Sequence, residues 1–487
     1  MDKPKSSKEI AHATTWAFTT ELISKMIMPV INMILARILV PEDFGVVAII
    51  NMVLNFSDIF AVAGLQKYIV QHKYKDNDEL NKSLSVAFWT NLVFSIILWL
   101  AIVLFQNQIV QLIGNPSLGK AIAIACLSLP IKSLSCAQEA LCIRNFQFKR
   151  LFNNRLLASL TPLLVTVPLA LLGLGYWSLV IGNLASDLIK TLYLNLSSSW
   201  KPKLYFNYMH LTKMLSFGIW ALLESLSLWG CIWFDIFIIS NSMGEYYTGI
   251  YRTAQSTITG IFALFTAGTA SVLYSSLSRV QDDKIKFNQL YYTFQKNLSL
   301  IVLPVGVGMF VYKGFITRVL LGNQWNDAIN LIGIWGLCTA LVSTYGTLTR
   351  ETYRAKGLPH VSVIVQAVHL LFVVPVSIIG LRFGFENYIY IRSIAFLQII
   401  VLHFIALKKI IGVSPLKLLR QTTIPIAGSV LMGVVGFIYL RFGSGMLFST
   451  LGVLICGICY VAFLALFPSY RAKGIHFFRV AICKINR

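Results

Sequence analysis

Residues 83–105, SLSVAFWTNLVFSIILWLAIVLF, run for 23 positions without a charge. A helix of that length spans roughly 34 Å, enough to cross a hydrocarbon core about 30 Å thick. Lys67, Lys73, Lys75 and Lys82 precede the run, whereas the next polar break holds Lys120 alone. This alternation of cation-rich and cation-poor breaks continues in both directions. Apolar runs are expected at 13–38, 45–66, 83–105, 118–142, 155–173, 176–197, 215–240, 247–273, 290–312, 326–348, 360–380, 386–407, 421–440 and 446–467. Thirty Lys and Arg residues fall in the termini and the even-numbered breaks. Seven fall in the odd-numbered breaks: Arg37, Lys120, Arg252, Lys313, Arg318, Arg382 and Arg441. Cation-rich loops stay cytoplasmic during insertion. The pattern therefore predicts an all-α polytopic membrane protein of fourteen spans with both termini cytoplasmic.

Composition agrees, being 56% hydrophobic and 12% charged over 487 residues. The net charge of +22 is explained by cytoplasmic loops facing anionic headgroups, so no nucleic-acid partner is expected. Most breaks are short, which leaves no room for an extramembrane catalytic domain. Neither an enzyme nor a cofactor is expected. The first run follows Lys3, Lys5 and Lys8 but has no Ala-x-Ala cleavage site, so it reads as a retained span. Cys456-x-x-Cys459 stands in the last span without a second ligand pair, and the seven His are scattered. Packing is the expected role of those cysteines, and no metal site is expected.

The stretch Ser197-Ser198-Ser199-Trp200-Lys201-Pro202-Lys203 reads as a linker. It divides the chain into a six-helix lobe at 1–198, a linker at 199–214, a second six-helix lobe at 215–410, and two further spans with a basic tail at 411–487. Internal comparison supports a duplication. Pro41-Glu42-Asp43-Phe44-Gly45 is echoed by Glu245-Tyr246-Tyr247-Thr248-Gly249, with the glycines 204 residues apart. Arg144-x-Phe146-x-x-Lys149 is echoed by Arg350-x-x-Tyr353-Arg354-x-Lys356 at an offset of 206. Six-span repeats keep one orientation, which implies parallel repeats about an axis along the membrane normal. Pro29, Pro130, Pro162, Pro168, Pro304, Pro375 and Pro425 lie inside spans and are expected to kink them.

Beyond the cations counted with the breaks and termini, four sit within the apolar runs: Lys25, Lys132, Lys190 and Arg392. A charge at the bilayer centre costs about 2.5–3.5 kcal/mol, so each must face the bundle interior or a partner. Polar residues form stripes at helical spacing: Glu21, Lys25 and Asn32; Asn51, Asn55 and Asp58; Ser128, Lys132, Ser135 and Glu139; Asn183, Asp187 and Lys190. Glu224 with Asp235, Arg252 with Gln255 and Thr259, and Arg392 with His403 extend them into the second half. Buried cations suit an anionic substrate, with Lys25, Lys132, Lys190, Arg392 and Arg252 as candidate contacts. The carboxylates Asp58, Glu224, Asp235 and Glu21 suit proton or cation coupling. The competing explanation is structural: Glu21/Lys25 and Asp187/Lys190 are spaced for ion pairs within one helix, and other stripe residues can hold helices together. Trp229 and Trp233 beside Asp235 are candidates for stacking on sugar rings.

Leu35-Ala36-Arg37-x-Leu39-x-Pro41-x-Asp43-Phe44-Gly45 resembles the signature after the first span of polysaccharide exporters of the multidrug/oligosaccharidyl-lipid/polysaccharide superfamily. Gly64-Leu65, Trp200-Lys201-Pro202, Phe217-Gly218, Gly249-Ile250-Tyr251-Arg252-x-Ala254, Leu277-Ser278-Arg279 and Leu321-Gly322-x-x-Trp325 extend the likeness over roughly 10–410. It is closest to the colanic-acid-exporter type of Wzx lipid-linked oligosaccharide flippase. Ser275 departs from it, standing where a proline is expected before Leu-Ser-Arg. The resemblance implies two six-helix lobes in a V around a central cavity, plus two further helices. It implies a monomer in the bacterial inner membrane that carries undecaprenyl-diphosphate-linked oligosaccharide units between leaflets by alternating access. Membrane lipids, a polysaccharide polymerase and export machinery are the other implied partners. A multidrug/cation antiporter of the same superfamily is the alternative.

Overall fold

The computed structural model describes residues 27–62, 65–72, 74, 76–468 and 470–471, and these are helical nearly throughout. The first helix, α1 (Ile27–Ile38), is the described part of the first expected span. Next, α2 (Pro41–Val62) begins on a proline, whose missing N–H costs nothing there, with Glu42 and Asp43 in a first turn that favours negative charge. The chain continues through α3 (Leu65–Gln71), α4 (Asn77–Leu104), α5 (Gln106–Ile113), α6 (Gly119–Ala125), α7 (Ser128–Arg144), α8 (Phe148–Leu164), α9 (Thr166–Leu171) and α10 (Tyr176–Ser197). After the linker come α11 (Tyr208–Ser278), α12 (Lys284–Val311), α13 (Lys313–Leu320), α14 (Ala328–Val342), α15 (Leu348–Ala355), α16 (Pro359–Leu381), α17 (Phe385–Ala406), α18 (Pro415–Tyr439) and α19 (Met446–Ala465). Single π-helical turns, Ser343–Thr347 and Leu407–Ile411, follow α14 and α17.

Among the described residues eleven stretches are long and apolar enough to cross a membrane. The protein is a multi-pass membrane protein. The seventh and eighth expected runs share one such stretch, Ser225–Ser278, whose 54 residues would make a straight rod of about 81 Å. The rod is broken at Gly244, with φ 81°, a conformation open to glycine. Helix α10 has the limits expected of the sixth run, but Asn183, Asp187, Lys190 and Asn195 dilute its apolar character. Leu447 is 83% and Ile458 70% exposed, surfaces suited to hydrocarbon rather than water.

The prolines act unequally. The helix breaks at 126–127, just before Pro130, and at Val165, just before Pro168, where the missing N–H removes one i→i−4 hydrogen bond. It continues through Pro162, Pro304, Pro375 and Pro425. It also continues through Ser275 to the end of α11.

The chain divides into two compact units, Met1–Thr253 and Ala254–Arg487. Residues 198–207 are non-helical and belong to the first unit. Trp200 is buried with Leu65, Leu84, Phe88 and Met214, and Trp89 Nε1 donates to the Lys203 carbonyl at 2.9 Å. In the first unit α7 packs on α2, α3, α4 and α10, and α10 also packs on α8. In the second unit α12 packs on α14 and α18, α17 on α14 and α16, and α18 on α19.

Candidate functional site

Three helices of the first unit bring four stripe charges together. Lys132 Nζ on α7 lies 3.0 Å from Asp58 Oδ2 on α2 and 3.7 Å from Asp187 Oδ2 on α10. Lys190 Nζ, one turn along α10, lies 3.3 Å from Asp187 Oδ1. The tetrad is neutral overall, so four ionised groups inside an apolar bundle are each compensated. Its exposure is graded. The Asp187 side chain is only 10% exposed, Asp58 28%, Lys132 38% and Lys190 42%. Asp187 is thus the enclosed hub, and the two lysine side chains are the more exposed members.

A ladder of neutral hydrogen bonds holds α7 and α10 in register beside the tetrad. Thr191 donates to the Ile131 carbonyl at 3.0 Å and lies 3.3 Å from the Ser135 hydroxyl. Gln138 Nε2 donates to Asn195 Oδ1 at 2.7 Å, and Asn195 Nδ2 donates to the Leu134 carbonyl at 2.9 Å. Asp187, Thr191 and Asn195 recur every four residues on α10, so one face supplies both the hub and the ladder. Such interhelical bonds average about 0.6 kcal/mol in a bilayer.

The remaining described candidates have partners of their own. Asp235 is buried on α11 and accepts a hydrogen bond from Tyr251 Oη at 2.9 Å. Arg252 places its guanidinium 4.3 Å from the centre of the Trp233 ring, which is itself buried. Trp229 donates to the Met52 carbonyl at 3.1 Å and packs on Phe56. Both tryptophans that are candidates for stacking on sugars make protein contacts here. Arg392 is 3% exposed, 5.3 Å from Trp335, whose ring stacks on Phe396. His403, on the same helix, instead faces Tyr353 Oη at 3.2 Å. Lys25, Glu21 and the side chain of Glu224 lie outside the described residues. Among the described residues no group of three or more His, Cys, Asp or Glu side chains could hold a metal ion.

The internal repeat has a structural counterpart. A Cβ added to Gly45 would lie 1.9 Å from the Glu245 carbonyl oxygen, and one added to Gly249 would lie 1.8 Å from that of Pro41. Pro41 and Glu245, like Gly45 and Gly249, are 204 residues apart. The two contacts therefore exchange under the repeat offset, as they do in an interface about a two-fold axis. Backbone meets backbone here, which only the absence of both Cβ atoms allows. Asn115 closes the crossing from the side by donating through Nδ2 to Glu245 Oε1.

Comparison with known proteins places this geometry. The chain is 23% identical over 314 residues to the succinoglycan biosynthesis transport protein ExoT of Rhizobium meliloti, covering 64% of this chain and 63% of that protein. That match spans less than two thirds of the relative's length. The chain is 21% identical over 354 residues to the lipopolysaccharide biosynthesis protein WzxC of Escherichia coli, covering 71% and 70%. Among solved structures, the lipid II flippase MurJ in an inward closed conformation superposes with a TM-score of 0.78 at 18% identity, over 94% of this chain and 99% of that one. An inward-facing MATE-family multidrug transporter of the MOP superfamily superposes with a TM-score of 0.59 at 14% identity, over 80% and 98%. The fold is thus that of MurJ and MATE transporters. The family profile described as polysaccharide biosynthesis protein matches residues 34–330. With more than half of its length matched, the chain belongs to the polysaccharide biosynthesis protein family.

Proposed function

We propose that this protein is a flippase, not an enzyme, and that it moves undecaprenyl-diphosphate-linked oligosaccharide repeat units from the cytoplasmic to the outer leaflet of the bacterial inner membrane. The repeat units would feed a surface polysaccharide. The observation that carries the reading is the neutral Asp58–Lys132–Asp187–Lys190 tetrad with its partly exposed lysine side chains. A diphosphate crossing the bilayer must exchange water for cationic partners, while its lipid tail can stay in the membrane. Lys132 and Lys190 offer those partners. Protonating Asp58 would loosen its hold on Lys132 and favour an anion there, so ion-gradient coupling and substrate binding meet at one pair. The two lobes drawn from the sequence, 1–198 and 215–410, would rock about the repeat axis, with the Gly45/Gly249 crossing among the contacts that open and close.

The test is accumulation of lipid-linked repeat units in cells that depend on this chain. Replacing Lys132 and Lys190 together with Gln is expected to reduce flipping at least tenfold in protein that inserts normally, with partial rescue by the Lys→Arg pair. Undiminished flipping in the Gln pair overturns the role of the tetrad. Efflux of cationic dyes by proteoliposomes would instead favour the antiporter alternative.

A further inference from the structure

The second unit holds a cavity of about 690 Å3 between α12 and α18, far in sequence from the tetrad. Asn288, Gln289, Tyr292 and Lys296 line it from one face of α12, at helical spacing, and Lys417 and Gln421 line it from successive turns of α18. No acidic residue lines it. Its walls are fixed. Tyr292 Oη accepts from the Ser414 backbone N–H at 2.9 Å, and Asn288 Nδ2 donates to the Gly412 carbonyl at 3.2 Å. Both lysines are held by aromatic rings: Lys417 Nζ lies 5.0 Å from the Tyr292 centroid and Lys296 Nζ 4.5 Å from that of Tyr470. Among the described residues neither forms an ion pair, which sets them apart from Lys132 and Lys190. Two uncompensated ammonium groups flanked by amide and phenol groups make an anion site of fixed shape.

Its depth narrows the ligand. Lys296 is the last charged residue before the apolar run 298–311, and Gln421 stands just before the run 424–440. The cavity therefore lies where polar helix gives way to apolar helix, at headgroup level. The neighbouring Lys284, Lys286, Lys408 and Lys409 put that level on the cytoplasmic side by the cation asymmetry. From this placement we infer that the cavity binds the phosphate-ester headgroup of an anionic lipid of the cytoplasmic leaflet, in a role distinct from that of the tetrad. The orientation rests on the proposed topology; the binding does not.

The experiment uses the full chain in phosphatidylcholine nanodiscs containing increasing phosphatidylglycerol. Nanodiscs expose both faces, and bound lipid is counted by native mass spectrometry without any transport step. Wild type is expected to retain one phosphatidylglycerol saturably. Lys296→Gln with Lys417→Gln should weaken this about 30-fold, from roughly fivefold per lysine, and the Lys→Arg pair should keep it. Lys132→Gln should lose flipping yet retain the lipid, which separates failure of this site from failure of the flippase reading. Unchanged binding in the double Gln variant overturns the proposal. Saturation by inorganic phosphate alone, in detergent, overturns the lipid assignment. Preference for undecaprenyl phosphate over phosphatidylglycerol keeps the phosphate-ester chemistry but overturns a role distinct from that of the tetrad.

Discussion

Asp187 does more than its position in a polar stripe suggests. It is the least exposed member of the tetrad and touches both lysines. Asp187→Asn leaves Lys190 without its carboxylate and Lys132 with Asp58 alone, and an uncompensated charge in a buried network costs up to about 3–5 kcal/mol. Since the lysines are partly open, about 2–3 kcal/mol is expected. Lys190→Gln removes a 42% exposed group and should cost no more than about 1 kcal/mol. Thermal unfolding in one detergent checks the order; a Lys190→Gln loss equal to that of Asp187→Asn would remove Asp187 from its place as hub. The stripe itself was legible, because helical period alone puts Asp187 and Lys190 on one face. The partner of Lys132 was not, because Asp58 lies 74 residues away and meets it only through the packing of α2, α7 and α10.

The crossing of α2 with the segment after Gly244 depends on two glycines acting as one contact. An alanine at Gly45 or Gly249 brings a methyl within 2 Å of a carbonyl oxygen, so the helices must part or tilt. Overpacking of that kind costs about 1–3 kcal/mol. Gly45→Ala and Gly249→Ala are expected to cost similar amounts, and the double variant less than their sum, since either one already separates the backbones. Unfolding midpoints of the three variants test this, and strict additivity would mean the contacts are independent. The repeat could be read from the 204-residue offset, but its meaning could not. Nothing in a spacing says that the two copies touch. The proline expectation shows the same limit. Pro130 and Pro168 break their helices where Pro304, Pro375 and Pro425 do not, although the local chemistry is alike.

For the molecule as a whole, thirty cations against seven make a claim about sides. Helix α12 begins at Lys284, inside the cation-rich break, and α14 begins after the cation-poor break that contains Asn323. Asp282 and Asn323 are both exposed, so each can carry a label. In a chain whose eight cysteines are first replaced, Asn323→Cys is expected to react with a membrane-impermeant maleimide in intact cells. Asp282→Cys should react only after permeabilisation. The two positions bracket α12 and α13, which makes the pair sensitive to a single misplaced crossing. The opposite pattern would invert the chain and put the α12–α18 cavity at the outer leaflet. Equal reactivity at both positions would show that α12 does not cross, whatever its apolar character. Such a result would also remove the reason for reading the +22 charge as an insertion signal, because the cation-rich loops would no longer share one face of the membrane.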